Sequence, residues 1–288
     1  MQITYDIKGE NTGTIKRRRI VAYIVLAFLS LLCLFWFYLL FVNATKSHAE
    51  LSLGFTAVPS THLFTNWKQL MKMPLKVLPG LANSIFVAAL SAICATYFSA
   101  MTAYAIHVYR FAGRKAIATF ILAVMMIPTQ VTALGFLELI RKFNMMDTFW
   151  PLIIPSVAAP ATFFYMKQYL DSALPLEIVE AARIDGSGEF RTYNTIIMPI
   201  VKPAIAVQAI FTFVASWNNY FTPALILSNE NRKTLPILIA QLRSMDWSHL
   251  DMGAVYVMIA FSIFPVVVVY LCLSKYIVGG IAAGSVKG

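Results

Sequence analysis

Six stretches of this chain carry no charged side chain for about 19 residues or more, which is enough α-helix to cross about 30 Å of hydrocarbon. Because 59% of the 288 residues are hydrophobic and only 12% are charged, a water-soluble domain of this size could not bury its apolar surface. The sequence therefore predicts an all-α membrane protein with about six transmembrane helices. The fourth stretch contains three prolines, so we expect it to be kinked or broken. The stretches are 20–42, 81–106, 116–137, 148–166, 203–227 and 252–274.

The positions of the basic side chains predict the orientation of these helices. With a cytosolic N-terminus, 14 of the 23 Lys and Arg residues lie on the inner side and nine on the outer side. An inner excess is typical of membrane proteins, and the basic run at 16–19 favours the same direction. We therefore expect cytosolic tails at 1–19 and 279–288 and one membrane domain at 20–278. The net charge of +10 is spread over short loops facing anionic lipid, and we expect no nucleic-acid partner.

One polar segment, 171–202, is the main indication of function. Its first 21 residues contain five acidic and two basic side chains, a net charge of −3 in a protein of +10. Acidic side chains hardly influence topology, so this excess suits a cytosolic partner with a basic surface; a solvated amphipathic loop helix is the alternative. Pro175 fits the first turn of a helix and Gly186 its end, so we expect a helix from Leu174 to Gly186. A second short helix should pack three apolar side chains under the spans: Phe190, Tyr193 and Ile197.

This segment resembles the EAA loop of permease subunits of binding-protein-dependent ABC importers. That pattern has the letters E-A-A, a glycine after three more residues, and I-x-L-P after nine more. The matching residues stand at those spacings: Glu180, Ala181, Ala182, Gly186, Ile196 and Pro199. Met198 replaces the usual leucine with a side chain of similar volume. Three further segments resemble the carbohydrate-uptake branch of the family, including second permeases of the maltose type: SWNNYFTPALIL, RKTLPILIAQL and KYIVGGIAAGSVKG. The resemblance covers most of the chain from about Pro79 onward.

The resemblance implies the fold and the partners of that family. The fold would be a MetI-like core of five helices at about 79–278, with the first helix outside it and a coupling helix docked on a cytosolic ATPase. Two ATPase subunits would hold ATP and Mg²⁺, so this chain would be a non-catalytic subunit with no cofactor of its own. A second, homologous permease and an extracytoplasmic solute-binding protein would complete the importer in a bacterial cytoplasmic membrane. The implied docking residues are Glu177, Glu180, Ala181, Ala182, Asp185 and Gly186, and residues 284–288 would contact the ATPase dimer.

Span five carries a run of aromatic and amide side chains that suits a sugar. Aromatic faces pack on the apolar faces of sugar rings, and amides hydrogen-bond to the hydroxyl groups around them. The alternative is an interfacial aromatic belt combined with ordinary packing. The candidate cavity residues are Phe211, Trp217, Asn218, Asn219 and Tyr220. Gln130 and Gln208 could face the same cavity or join helices by hydrogen bonds.

These features predict ATP-driven import of a carbohydrate, with an oligosaccharide favoured, by alternating access. An ion-coupled secondary transporter is the alternative from another class, and it would require charges near mid-membrane and inverted repeats, which the sequence does not display. A membrane-embedded enzyme would require clustered catalytic side chains in facing spans. Importers of glycerol phosphate esters, polyols or acidic sugars stay open, because half of any cavity would belong to the partner permease.

Overall fold

The computed structural model describes residues 12–245 and 250–285, with side chains described at 16–245 and 250–276. Within these ranges every regular element is a helix. The chain divides into two compact units, one of Met1–Lys72 with Asp251–Ala260 and one of Met73–Leu250 with Phe261–Gly288. The all-α class expected from the apolar stretches is confirmed.

The first unit contains three helices and the beginning of a fourth. Their bounds are α1 at Thr12–Ala44, α2 at His48–Ser52 and α3 at Leu63–Lys72. Because α1 begins inside the predicted tail 1–19, the basic run at 16–19 is helical and continues into the first span. α2 starts with a capping box, in which the Ser47 hydroxyl accepts from the Glu50 N–H and the Glu50 carboxylate accepts from the Ser47 N–H.

The second unit contains the expected core, the polar segment and span five. Its helices are α4 at Val77–Val108, α5 at Arg114–Val124, α6 at Thr129–Lys142, α7 at Trp150–Ile153, α8 at Pro160–Ala173, α9 at Leu176–Ile184, α10 at Glu189–Thr192, α11 at Met198–Trp217, α12 at Phe221–Ile226 and α13 at Leu235–Arg243. The last helix, α14 at Met252–Ser285, begins in the first unit and ends in the second. Residues 279–285, predicted as a tail, therefore continue this helix.

Within the described residues, four helices are long and apolar enough to cross a membrane by themselves: Lys16–Ala44, Val77–Val108, Glu189–Trp217 and Met252–Tyr276. The third predicted span is bent by 98° between α5 and α6, and this pair makes a fifth span only if it is counted as one. The fourth is broken into α7, a 3-10 turn and α8, as its prolines predicted. The bend was not expected, although Pro128 stands at it and lacks the N–H that a continuous helix needs.

The core of the second unit is built on the small side chains of α4. Ala92, Ala95, Ser99 and Ala103 are buried and recur every three or four residues, so that α8 and α11 can approach α4 closely. Ser99 also donates its hydroxyl to the Ala159 carbonyl, at 3.2 Å. The core continues into the polar segment, because one cluster of buried residues joins α4, α8, α9 and α11: Ala100, Ala103, Tyr104, Ile106, Phe163, Met166, Leu170, Leu174, Val179, Tyr193, Ile197, Val201 and Ala204.

Span five and the second short helix of the polar segment are one helix. The sequence predicted two separate elements, but α10 continues through a π-helical turn at Tyr193–Ile197 into α11. In that turn the Met198 N–H donates to the Tyr193 carbonyl, five residues earlier. The wider turn stands directly before Pro199, whose ring would clash with the carbonyl four residues earlier in a regular helix. The prolines thus modify the helix without separating the polar segment from the span.

Asp147 holds two turns of the second unit together. Its Oδ1 accepts from the Ser228 N–H at 2.6 Å and from the Asn229 N–H at 2.7 Å, and its Oδ2 accepts from the Ser228 hydroxyl at 2.7 Å. Arg232 donates to the Asp147 carbonyl. The bonds from the Ser228 hydroxyl and the Asn229 N–H hold the pKa of the Asp147 carboxyl below its ordinary value. The turn after α6 is thereby tied to the loop before α13.

Candidate functional site

The predicted docking helix is α9, and it ends where the sequence predicted. Pro175 precedes its first residue with φ of −64°. A Schellman motif follows its last residue, since the Gly186 N–H donates to the Arg183 carbonyl at 3.0 Å and the Ser187 N–H to the Ala182 carbonyl at 2.9 Å. Gly186 has φ of +75°, a conformation that residues with a Cβ rarely adopt. The expected glycine stop is confirmed.

One face of α9 is anchored in the protein's own core. Val179 and Ala182 are only 1% and 4% exposed, and Ile178 packs against the same core cluster. Positions 178, 179 and 182 lie on one side of a helix, which explains this inward stripe. The expectation that Ala182 lies on a partner surface is therefore corrected, because its methyl group faces this chain's own core.

The other face of α9 is open to solvent. We call it the free face; its residues are Leu176, Glu177, Glu180, Ala181, Ile184 and Asp185. It contains four of the six predicted docking residues and is followed by exposed Gly186. Two exposed apolar side chains were not expected. Ile184 is 86% exposed, and Phe190, predicted to pack under the spans, is 71% exposed in the first turn of α10. Large apolar side chains exposed beside carboxylates are typical of an interaction surface.

A single carboxylate joins α9 to the end of α4. Glu189 Oε1 accepts from Arg183 Nε at 2.8 Å, and Glu189 Oε2 accepts from the Tyr109 hydroxyl at 2.5 Å. The Arg183 guanidinium also lies 5.5 Å from the centre of the Tyr109 ring. The hydrogen bond to Glu189 raises the pKa of Arg183, and burial together with the same carboxylate raises the pKa of Tyr109. Sequence reasoning missed this group, because Tyr109 lies 80 residues before Glu189 and no local pattern joins them.

A tyrosine cluster fixes the start of the span-five helix against α4. The Tyr193 hydroxyl donates to the Tyr97 carbonyl at 2.8 Å, and the Tyr97 hydroxyl donates to Asn194 Oδ1 at 3.1 Å. The Tyr193 ring lies 5.6 Å from the rings of both Tyr97 and Tyr104, measured between centres. Such aromatic contacts contribute beyond simple burial. The helix that follows the docking helix is therefore held at its first turns.

The junction between α8 and α9 is tied to α4 by His107. Its Nδ1 lies 2.9 Å from Asp171 Oδ1 and its Nε2 lies 3.0 Å from the Leu174 carbonyl. Lys167 donates to the other Asp171 oxygen at 2.5 Å. Burial alone would raise the pKa of Asp171, but the hydrogen bonds from Lys167 and His107 prevail and lower it. The start of α9 is thus connected through Leu174 to His107, in the last turn of α4. Its end is connected through Arg183 and Glu189 to Tyr109, the residue that follows α4.

The candidate cavity residues of span five separate into two groups. Phe211, Asn218 and Tyr220 are exposed around the point where α11 ends. Trp217 is only 4% exposed and stacks on Phe213, with ring centres 5.8 Å apart and planes 14° apart. The expectation that Trp217 faces a cavity is therefore corrected.

The two amides and the two glutamines also differ in their surroundings. Asn219 is half-buried, and its Oδ1 accepts from the Thr222 N–H, in the first turn of α12, at 3.3 Å. Gln208 is buried and Gln130 is exposed. Of these four side chains, only Gln130 and Asn218 are exposed.

The family of proteins described as "Binding-protein-dependent transport system inner membrane component" matches residues 95–282, which include α8 to α11 and the whole polar segment. The chain belongs to this family. Membership favours the importer over the ion-coupled secondary transporter that the sequence left as an alternative.

Two relatives of this permease match it over nearly their whole length. The arabinooligosaccharide transport system permease AraQ of Bacillus subtilis (strain 168) is 31% identical over 276 residues, covering 94% of this chain and 96% of AraQ. The trehalose/maltose transport system permease MalG of Thermococcus litoralis is 30% identical over 275 residues, covering 94% of this chain and 98% of MalG.

A solved structure has the same fold as this permease. It is a chain of a bacterial ABC transporter involved in the import of the acidic polysaccharide alginate, and it superimposes with a TM-score of 0.78. The match covers 91% of this chain and 97% of that one at 22% sequence identity. The likeness confirms the expected importer-permease fold.

Some expectations for the permease concern residues that the structure does not describe. Residues 1–11 of the predicted N-terminal tail and residues 286–288 of the predicted ATPase contact lie outside the described residues. Among the residues that are described, no group of three or more His, Cys, Asp or Glu side chains could hold a metal ion.

Proposed function

We propose that this permease is one of two transmembrane subunits of an ABC importer that carries a carbohydrate, with an oligosaccharide favoured, into the cell. Two ATPase subunits would bind below it, a second homologous permease beside it, and a solute-binding protein on the outer side. The chain would lie in a bacterial cytoplasmic membrane with its N-terminus and α9 on the cytosolic side, in agreement with the positive-inside distribution of its basic residues.

The observation that carries this proposal is the two-faced geometry of α9. Its inner face, with Val179 and Ala182, is buried in the core that α4, α8 and α11 share, so a force on α9 reaches the spans directly. Its free face presents carboxylates at Glu177, Glu180 and Asp185. A helix that is rigidly held on one side and acidic on the other suits a basic socket on an ATPase.

The exposed apolar side chains add area to the proposed contact. Ile184 lies on the free face and Phe190 lies just beyond the glycine turn. Interfaces combine a desolvated apolar centre with a polar rim, and carboxylates around Ile184 match that arrangement. We propose that Glu180 makes the main polar contact with the ATPase and that Ile184 enters an apolar pocket.

The carbohydrate assignment is supported by two observations. The relatives AraQ and MalG are named for transport of arabinooligosaccharides and of trehalose or maltose. In this chain, the exposed amide of Asn218 and the exposed ring of Tyr220 follow the end of α11, and the exposed ring of Phe211 lies six residues before that end. We propose that these three residues form this subunit's part of the substrate path.

The proposed mechanism is alternating access driven by the partner ATPases. Binding of ATP would close the ATPase dimer and draw the docked α9 helices of the two permeases together. Because α10 and α11 are continuous, this displacement would pass along one helix to the exposed residues near Asn218. Substrate would then enter from the binding protein, and hydrolysis would reset the cycle. Such coupling requires the ATPase to bind the two permease states with different affinities.

The test is affinity purification of the tagged permease from its native membrane, followed by uptake assays in proteoliposomes. We expect an ATPase and a second permease to co-purify, and Glu180→Lys to reduce the ATPase recovered. Ser172→Lys, which adds a positive charge at an exposed site on the last turn of α8, is the control and should retain the ATPase. Uptake of labelled arabino- or malto-oligosaccharides is expected; uptake of glycerol 3-phosphate instead would overturn the carbohydrate assignment.

A further inference from the structure

The hydrogen bonds at the end of α4 point to a role for one histidine. We propose that His107 is a positioning residue, which holds the start of the docking helix in its coupled position only while its imidazole carries both protons. This proposal rests on the proposed function, because it concerns how α9 transmits the action of the ATPase.

Both ring nitrogens of His107 face oxygen acceptors. Nδ1 is 2.9 Å from a carboxylate oxygen of Asp171 and Nε2 is 3.0 Å from the carbonyl of Leu174. The side chain is 14% exposed, so water has little access to replace either partner. A carbonyl and a carboxylate cannot donate, and a neutral imidazole has a single N–H. The observed pair of hydrogen bonds therefore requires the doubly protonated ring.

Loss of one proton from the His107 imidazole would break its hydrogen bond to the Leu174 carbonyl. The bond to the Asp171 carboxylate is charge-assisted and is the stronger of the two, so a neutral ring keeps its hydrogen on Nδ1. Nε2 then has no hydrogen to offer the Leu174 carbonyl. Leu174 is buried in the core cluster and is followed directly by Pro175 and α9. Deprotonation thus loosens α4 from the point where the docking helix begins.

The charged side chains near the His107 contact lie on α8 and at the start of α5. Asp171 and Lys167 are both on α8, and their 2.5 Å ion pair persists when the imidazole is neutral. Arg114, at the start of α5, donates instead to the Tyr109 carbonyl at 3.2 Å. Leu174, which leads into α9, contributes a backbone carbonyl. Among these side-chain types, histidine is the one whose unperturbed charge change falls between about pH 5 and pH 8.

The experiment uses the whole importer in proteoliposomes with the ATPase side exposed to the bath. Solute transported per ATP hydrolysed is measured from pH 6 to pH 8 on that side, for the wild type and for His107→Gln. We expect the wild-type ratio to fall about two- to tenfold as pH rises, the range expected for loss of one hydrogen bond. In His107→Gln the ratio should not fall in this way as pH rises. If the ratio depends on pH identically in the wild type and in His107→Gln, the proposal is overturned.

Two further variants complete the test. Asp171→Asn removes the carboxylate that favours the protonated ring, so in this variant the fall in transport per ATP should occur at lower pH than in the wild type. If the fall occurs at the same pH, the proposal is contradicted, even if His107→Gln fails to assemble. His62→Gln, a histidine of the first unit, should keep the wild-type profile. A wild-type importer without ATP-dependent uptake would refute the proposed function itself, whereas normal uptake with identical profiles would refute only the role of His107.

Discussion

Arg183 Nε donates to Glu189 Oε1 at 2.8 Å, across the turn at Gly186 that separates the docking helix α9 from the span-five helix. The other oxygen of the same carboxylate accepts from Tyr109, the residue that ends α4. Three elements of the permease therefore meet at one side chain. This contact bridges the glycine turn, where an added Cβ would meet nothing within 4 Å.

We expect Arg183→Ala to lower transport per ATP hydrolysed several-fold while leaving the amount of assembled permease unchanged. The two side chains are 41% and 47% exposed, and exposed ion pairs contribute little to stability. Uptake and ATPase activity measured on the same proteoliposomes give the ratio. Arg191→Ala, which removes an exposed arginine on α10, is the control. Equal ratios for the two variants would mean that the ion pair does not orient α9.

Gly186→Ala is expected to destabilise the loop, whereas Gly188→Ala is expected to be tolerated. An added Cβ has open space at both positions, so steric clash does not distinguish them. Gly186 has φ of +75° and Gly188 has φ of −68°, and the left-handed conformation costs a residue with a Cβ about 1–2 kcal/mol. Limited proteolysis of the loop and the transport ratio provide the measurement. Gly186→Asn should be destabilised less than Gly186→Ala, because asparagine adopts the left-handed conformation more readily. Equal proteolysis and equal transport ratios for Gly186→Ala and Gly188→Ala would refute the argument.

Two buried tyrosines should respond differently to removal of a hydroxyl. Tyr193→Phe loses the hydrogen bond to the Tyr97 carbonyl and should lower the free energy of unfolding by about 0.5–1.5 kcal/mol. In the described part of the chain the buried Tyr104 hydroxyl makes no hydrogen bond of ordinary geometry, although Tyr109 and Glu189 lie close enough to interact with it, so Tyr104→Phe should cost less than Tyr193→Phe. Thermal unfolding of the purified permease in one detergent compares them. A larger loss in Tyr104→Phe than in Tyr193→Phe would contradict the observed contacts.

Trp217→Ala should act on stability, and Tyr220→Ala on transport. Trp217 is buried against Phe213, and replacing such a side chain with alanine costs about 3–5 kcal/mol. Tyr220 is 49% exposed, so its removal should leave the unfolding temperature unchanged and reduce uptake of the solute. Melting curves and uptake kinetics on both variants separate the two effects. An unchanged melting curve for Trp217→Ala would show that the ring does not support the fold.

Asp147 gives the permease a stability that depends on pH. Because the pKa of this carboxyl is lowered in the folded protein, its contribution is present above its ordinary pKa and is lost as pH falls through the lowered value. Asp147→Asn should therefore have a lower unfolding temperature than the wild type at pH 6, and the difference should shrink below about pH 4. Glu138→Gln, an exposed carboxyl on α6, should give no such pattern. If the difference in unfolding temperature between the wild type and Asp147→Asn grows at acidic pH, the lowered pKa of Asp147 does not stabilise the fold.

Local sequence was sufficient at two places where single residues determine the backbone, although the bend at Pro128 was missed. Gly186 marked the end of the docking helix and the prolines of 148–166 marked a broken span, and both predictions are confirmed. Packing decided the rest. Whether Ala182 and Trp217 face the core or a partner depends on which residues pack around them in the folded protein, and the local sequence does not specify those residues. The Tyr109–Glu189 contact spans 80 residues and forms only when α4 and α10 come together.

The unbroken helix from Glu189 to Trp217 has 29 residues and a length of about 44 Å. This helix runs without a break from the polar segment to the residues near Asn218, with its π-helical turn, Pro199 and Pro203 all at or before its middle. If it tilts about its first turns, where Tyr193 is held against α4, the end near Trp217 travels further than the end at Glu189. A small displacement at Glu189 then appears enlarged and in the opposite direction near Trp217, so this helix is a lever with a short arm at the polar segment and a long arm in the span.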